Sequence, residues 1–272
     1  MRAFFSPLLL VTLSLLAIPA RAQPQTPPAA LPSLSVASLE LPAADGPEWQ
    51  QRREQIVELL ATLRPDVLAI HAQLQEQGRS PACWLARRLR YSCDFVTPDR
   101  PSQAQRHGIA MLSRLSISED GVTLLHPPGR YSAAGMMRVT VGEQPVNIYM
   151  VQLRPEQDDV ASRRHQSNDL RIWIEATSSG LPSVVAGEFS AATGELVGSL
   201  PGFQPSRRNP APRGTPSGPA SAAERGHGLD VLYQVKQFGG LRQQRVELPA
   251  QGELPALRLG TLAVLELQPA SL

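Results

Sequence analysis

The chain has 272 residues, 42% of them hydrophobic and 18% charged, with a formal net charge of +2. Such a chain is long enough for one large domain with a sizeable core. Two of the basic residues, Arg2 and Arg21, lie in the first 22 positions; the rest of the chain balances 24 basic against 24 acidic residues, so no broad basic nucleic-acid face is expected.

Arg2 supplies a positive start, Leu8 to Ile18 an uncharged apolar run, and Ala20-Arg21-Ala22 a small-x-small cleavage pattern. Residues 1–22 therefore read as a secretory signal peptide that leaves Gln23 as the new N-terminus. The run is shorter than the roughly 20 apolar residues that cross a bilayer. The expectation is an exported protein, periplasmic or secreted, with no transmembrane anchor after signal cleavage. In that setting Cys83 and Cys93 are expected to form a disulfide, the alternative being two separate buried thiols.

Residues 23–32, rich in Pro, Gln and Ala, read as a flexible leader. Leu34–Leu41 alternates as a strand does. A helix opens at Asp45 and Pro47, carries Trp49, Ile56, Leu59, Leu60 and Leu63 at helical spacing, and stops at Arg64-Pro65. Asp66–His71 is a short apolar strand of the kind buried on both faces. A short helix at Trp84–Leu89 and a strand at Tyr91–Val96 follow, then one or two strands within Gly108–Ile117. Gly135–Val141 and Pro145–Leu153 form a hairpin that turns at Gly142-Glu143-Gln144. Asp158–Thr177 is an amphipathic helix with Leu170, Trp173 and Ile174 inward. Strands at Pro182–Phe189, Gly228–Val235, Leu241–Leu248 and Thr261–Leu267 complete the chain. Pro201–Gly228, crowded with Pro, Gly and Ser and carrying Arg207, Arg208, Arg213 and Arg225, reads as a mobile loop, 201–228. The order predicts an α/β (α+β) domain over residues 33–272, a four-layer α/β/β/α sandwich of two facing mixed sheets with outer helices.

Several segments, in order, resemble the endonuclease/exonuclease/phosphatase superfamily. "SVASLEL" resembles its first strand, written T-x-N. The helix from Trp49 into "RPDVLAIHA" resembles its first helix and the strand ending Q-E. "HGIAMLSRLSI" resembles G-x-x-x-x-S-R, and "VNIYMVQL" with "SRRHQSNDLRIWI" resembles the strand ending H-L and its R-x-x-Q helix. "PSVVAGEFSA" resembles G-D-F-N, "GLDVLYQV" resembles R-I-D-Y, and "GTLAVLEL" stands where the family places D-H. The resemblance implies a metal-dependent phosphoesterase scaffold, in which a Glu holds Mg²⁺ and an Asp–His pair activates water.

At the matching positions this chain differs. Glu40 replaces the Asn of T-x-N, and Ala72, after His71, replaces the metal Glu. Gln152 replaces the His of H-L, and Glu188 and Ser190 replace the Asp and Asn of G-D-F-N. Gly228 replaces the Arg of R-I-D-Y although Asp230 remains, and Gly260-Thr261 replaces D-H. After Asp230 the chain has neither Asp nor His, so no register restores the terminal dyad. Glu76 falls past the expected strand end. His107, His126, His165 and His227 read as surface residues, and Ser113 has no His or Asp partner in a nucleophile pattern.

Three functions follow as alternatives. The first is an exported, catalytically inactive member (a pseudoenzyme) acting as a binding scaffold for a phosphate-bearing ligand or a protein. Its remnant groove would be Glu40, Glu188, Ser190, Asp230 and Gln152, and no cofactor is expected. The second is an active phosphodiesterase or phosphatase with a rearranged site, in which Glu40, His71, Glu188 and Asp230 hold Mg²⁺ or Mn²⁺. The third is an unrelated α/β domain.

Overall fold

A computed structural model describes residues 31–153, 160–189, 198–206 and 228–269. The expected signal peptide, most of the leader, Ser190, His227 and residues 207–227 of the expected loop lie outside the described residues.

The first sheet is built from six strands in the order β11-β12-β1-β2-β4-β3, with β1 (Ser33–Glu40), β2 (Val67–Glu76), β3 (Ser92–Val96), β4 (Gln105–Ser113), β11 (Phe238–Leu248) and β12 (Leu257–Leu267). The second has the order β5-β6-β7-β8-β10-β9, with β5 (Ile117–Leu124), β6 (Ala133–Val141), β7 (Gln144–Gln152), β8 (Ser183–Glu188), β9 (Phe203–Pro205) and β10 (Leu229–Gln234). Each sheet is mixed: β1 runs parallel to β2, and β7 to β8, while the other pairings are antiparallel.

The parallel pairs need crossovers, and these are helical. Helix α1 (Pro47–Leu63) joins β1 to β2, and α3 (Val160–Thr177) precedes β8; α2 (Pro81–Leu89) connects β2 to β3. Ser80 caps α2 by accepting the Cys83 N–H at 3.1 Å, and Pro81 occupies its first turn. Helix α1 ends where Arg64 turns left-handed, just before Pro65.

Strand alternation sorts the apolar residues into three layers. Leu34, Val36, Val67, Ala69, Met111, Ile148, Val184 and Leu265 pack between the sheets. Leu39, Leu68, Ile70 and Leu112 face outward against Trp49, Ile56 and Leu60 of α1 and Leu85 of α2. Tyr149, Val151 and Val185 face the other way, against Leu170 and Ile174 of α3. Both faces of the central strands are covered, which is why they read as unbroken apolar runs. The four-layer sandwich is the architecture the residue pattern predicts.

Four local features differ from that pattern. Strand β2 continues beyond His71 to Glu76 because a bulge between Ile70 and Gln73, with Ala72 at φ 52°, resets its pairing with β4. Glu76 is thus the last residue of the strand, not past it. The start of the expected mobile loop is ordered: Phe203–Pro205 pairs with β10 as β9, and Phe203 and Ser206 are buried. The hairpin turns on two residues, since Val141 already faces Gln144 and Gly142 supplies the positive φ. The segment Gly108–Ile117 divides between β4 and β5, and β5 runs on to Leu124.

Cys83 and Cys93 form a disulfide with Cα atoms 5.5 Å apart, joining α2 to β3. Asp66 ties the start of β2 to β1: its carboxylate accepts from Ser35 N at 2.7 Å and Ser35 Oγ at 2.6 Å, and pairs with Arg114.

Candidate functional site

The registers bring the departed motif positions to one end of the sandwich. Parallel pairing sets Glu40 beside His71, and Gln152 beside Glu188. Antiparallel pairing sets Gly260 and Thr261 beside Leu39 and Ser38. Hydrogen bonds join the sheets at this end: Ser38 Oγ donates to the Gly187 carbonyl at 3.2 Å, and Ala72 N–H donates to Gln152 Oε1 at 3.2 Å. Alternation from the inward residues Val36, Val67 and Ala186 turns Glu40, His71 and Glu188 toward the space between the sheets.

The polar groups there are largely engaged with one another. Gln152 uses its other end to donate from Nε2 to Glu188 Oε2 at 2.6 Å. The Glu188 carboxyl is pushed above its ordinary range, first by burial and then by the negative charge of Glu40; the Gln152 hydrogen bond opposes both. His71 is wholly buried, with Nε2 3.0 Å from Ser38 Oγ and no partner at Nδ1. Burial lowers its pKa from 6.5 to about 3, so the imidazole is neutral at physiological pH.

Asp230 does not join this group. Its neighbour Val231 faces the inter-sheet core, so Asp230 faces the α3 side. There its Oδ1 accepts from Ser206 Oγ at 2.6 Å and from Val231 N–H at 2.8 Å. A motif position counted from sequence gives the residue but not the face of the strand. Ser190 lies outside the described residues.

The terminal position is closed sterically as well as chemically. Gly260 has φ +154°, and a Cβ built on it would meet the Ser38 carbonyl oxygen at 2.1 Å. No side chain fits there without moving β12 away from β1. Thr261 is buried, and its Oγ1 accepts from Gln243 Nε2 at 2.8 Å. Among the described residues, no three His, Cys, Asp or Glu side chains are placed to hold a metal ion.

Next to Ala72 lies a cleft of about 190 Å³. It is lined by Pro42, Ala43, Ala44 and Asp45 after β1, Ala72, Gln73 and Leu74 of β2, Pro81 of α2, His107 of β4, and Arg130 from the β5–β6 connection. Apart from Ala72 and His107, these residues come from separate segments and carry no shared motif, so nothing in the sequence singled them out. Of the remaining histidines, His107 receives a fixed position from its backbone N–H to Asp99 Oδ2 at 2.7 Å, and exposed His126 pairs with Asp169 at 3.0 Å. His165 is exposed on α3. Ser113 closes a turn with Leu115.

A model of the endonuclease/exonuclease/phosphatase family matches residues 36–230, well over half of the chain. The human Nocturnin catalytic domain with bound sulfate anion is similar in structure, with TM-score 0.66 and 18% identity, over 87% of this chain and 94% of that one. An endonuclease/exonuclease/phosphatase from Bacteroides vulgatus has TM-score 0.64 and 14% identity over 87% and 99%. TDP2 from Caenorhabditis elegans has TM-score 0.60 and 14% identity over 86% and 74%. At such identities the likeness is one of fold. No curated protein matches in sequence.

Proposed function

The chain belongs to the endonuclease/exonuclease/phosphatase family, and from that premise we propose that it is an exported, catalytically inactive member that acts as a binding scaffold. The expectation of an unrelated α/β domain falls with this membership. The observation that carries the proposal is the closed Gly260 position, where a Cβ would lie 2.1 Å from the Ser38 carbonyl. An activating Asp has no room there, and no Asp or His follows Asp230 anywhere in the chain.

The rest of the groove supports the same reading. Ala72 offers no carboxylate, and Gln152 is held at both ends by Ala72 and Glu188. His71 is buried and neutral, without the solvent access a proton-transfer group needs. The described side chains do not form the oxygen cage that Mg²⁺ or Mn²⁺ requires, because Asp230 faces away and Glu188 is bonded to Gln152. The Cys83–Cys93 disulfide fits an oxidising compartment, in keeping with export.

The second reading is a phosphoesterase with a rearranged site, and one observation favours it. The negative charge of Glu40 adds to the cost of ionising Glu188, a repulsion that a bound cation would relieve. Hydrolysis of a chromogenic phosphodiester by the purified protein lacking residues 1–22, with Mg²⁺ or Mn²⁺, separates the two. The scaffold reading predicts no turnover above a Glu188→Ala control; turnover abolished in that variant would establish the rearranged site.

A further inference from the structure

We propose that the free edge of β5 takes up an extended segment of a partner protein as an added strand, one that carries alternating apolar residues and a lysine or arginine. This extends the scaffold reading to a strand that lines neither the groove nor the cleft. Strand β5 stands last in its sheet, bonded to β6 on one side, and among the described residues no strand lies on the other. The backbone N–H and C=O groups of such an edge are a template for a further strand.

Register fixes which β5 side chains point between the sheets. Gly121 pairs with Met136, and a Cβ on it would lie 3.8 Å from Trp173 Cζ2, on the α3 side. Val122 therefore points the other way, together with Asp120 and Leu124, whose partners Met137 and Ala133 belong to the inter-sheet core. Strand β3, the edge of the facing sheet, stops at Val96, beside Gly135, the residue paired with Val122. Val122 is 54% exposed and Leu124 51%, the two most exposed large apolar side chains among the described residues. Single exposed apolar residues are ordinary. Two on one face of a free edge strand can be covered together by the cross-strand neighbours that a further strand supplies.

Charge specifies what else that strand carries. Asp120 continues the stripe two residues before Val122, and Asp94 of β3, paired with the core residue Met111, points into the same gap. Burial first, and then the negative charge of Asp120, hold the Asp94 carboxyl above its ordinary range; the Phe95 backbone hydrogen bond opposes both. Among the described residues neither Asp94 nor Asp120 pairs with a basic side chain, whereas Glu119, on the opposite face, is bonded to Arg138. A cation opposite Asp120 relieves this repulsion. In an antiparallel partner, the residues opposite Leu124, Val122 and Asp120 then read apolar-x-apolar-x-Lys or Arg. A second copy of β5 is a poor match, because Ile117–Leu124 contains no basic residue and adds further carboxylates.

The test is fluorescence anisotropy of a labelled peptide, Ser-Val-Thr-Val-Thr-Lys-Ser with blocked termini, titrated with the purified protein, its disulfide intact, to about 0.5 mM. The expected result is saturable binding that weakens at least about fivefold in Val122→Asn and in Asp120→Asn. Both side chains are exposed, so these variants should fold normally. Methylating alternate backbone nitrogens of the peptide should abolish binding, since it removes the donors of an added strand. Replacing the peptide's lysine by glutamate should also abolish it, and Asp120→Lys should restore binding of that altered peptide. No binding of the lysine peptide would overturn the proposal. So would binding that both Asn variants retain, or equal binding of the methylated peptide. Sedimentation of the protein alone as a dimer that Val122→Asn dissociates would assign the edge to a second copy instead, and so would also overturn it. The hydrolysis assay is independent: turnover removes the inactive reading and leaves this edge, whereas absent peptide binding removes the edge and leaves that reading.

Discussion

Acid should destabilise this protein through His71, and the size of the effect follows from its burial. The ring is wholly buried, bonded at Nε2 to Ser38 and unpartnered at Nδ1, with its pKa lowered from 6.5 to about 3. In the unfolded chain the imidazole returns to its ordinary value. Between the two values the unfolded state binds the extra proton, so the folded state loses ground as pH falls. The stabilisation is complete above the unfolded pKa of 6.5 and disappears on the way down to about 3. At about 1.36 kcal/mol per unit, acidification to about pH 5 removes about 2 kcal/mol, and the full window about 5 kcal/mol. Urea unfolding at about pH 7.5 and pH 5, on the wild type and on His71→Gln with the disulfide intact, measures this contribution. The variant has no imidazole to protonate, so its loss between the two pH values should be smaller by about 2 kcal/mol. Equal losses in the two proteins would refute the assignment, whatever the variant's absolute stability.

Four further outcomes are expected. Gly260→Asp restores the acidic residue of the family's terminal pair but should cost roughly 3 kcal/mol or more through the clash with Ser38 and the positive φ, and should confer no hydrolysis; thermal unfolding and the phosphodiester assay check it. Asp66→Ala leaves Arg114 and two Ser35 donors without their shared acceptor and should cost about 2–3 kcal/mol in urea unfolding. Glu188→Gln keeps a partner for Gln152 while removing a carboxyl whose charged form burial and Glu40 disfavour. Because that carboxyl's pKa is raised on folding, ionisation destabilises the native state as pH rises. The variant should therefore melt higher than wild type at neutral pH, with the gain vanishing on acidification below the ordinary carboxylate range; a gain equally large in acid would contradict this. Opening the Cys83–Cys93 bridge by a double Cys→Ala change should cost roughly 2–3 kcal/mol in thermal unfolding, read against the oxidised protein.

The two-sheet architecture was legible in the residues because each central strand is apolar on both faces. Val67 to Ile70 read as a strand covered from two sides, and Trp49, Ile56 and Leu60 as one apolar helical face, which packs on it. The order of motif-like segments, from Ser35 to the Asp230 strand, carried the family because order and spacing survive when individual residues change. Position along the chain also gave the expectation that Ala72, Gln152 and Thr261 stand where the family's motifs carry Glu, His and His.

Tertiary structure decided the rest, since it depends on direction and distance. Asp230 and Glu188 occupy neighbouring strands at almost the same level, yet alternation turns them to opposite faces, which a one-dimensional match cannot register. The bulge at Ala72 carries β2 on to Glu76 and places Gln73 against a cleft whose other walls come from distant segments. The narrowness between β12 and β1 at Gly260 arises from packing two strands, and it turns a missing side chain into a position where none can be accommodated. Sequence sets which groups are present; the close approach of strands sets which of them can reach a ligand, because hydrogen bonds, charge repulsion and steric exclusion all act over a few ångströms.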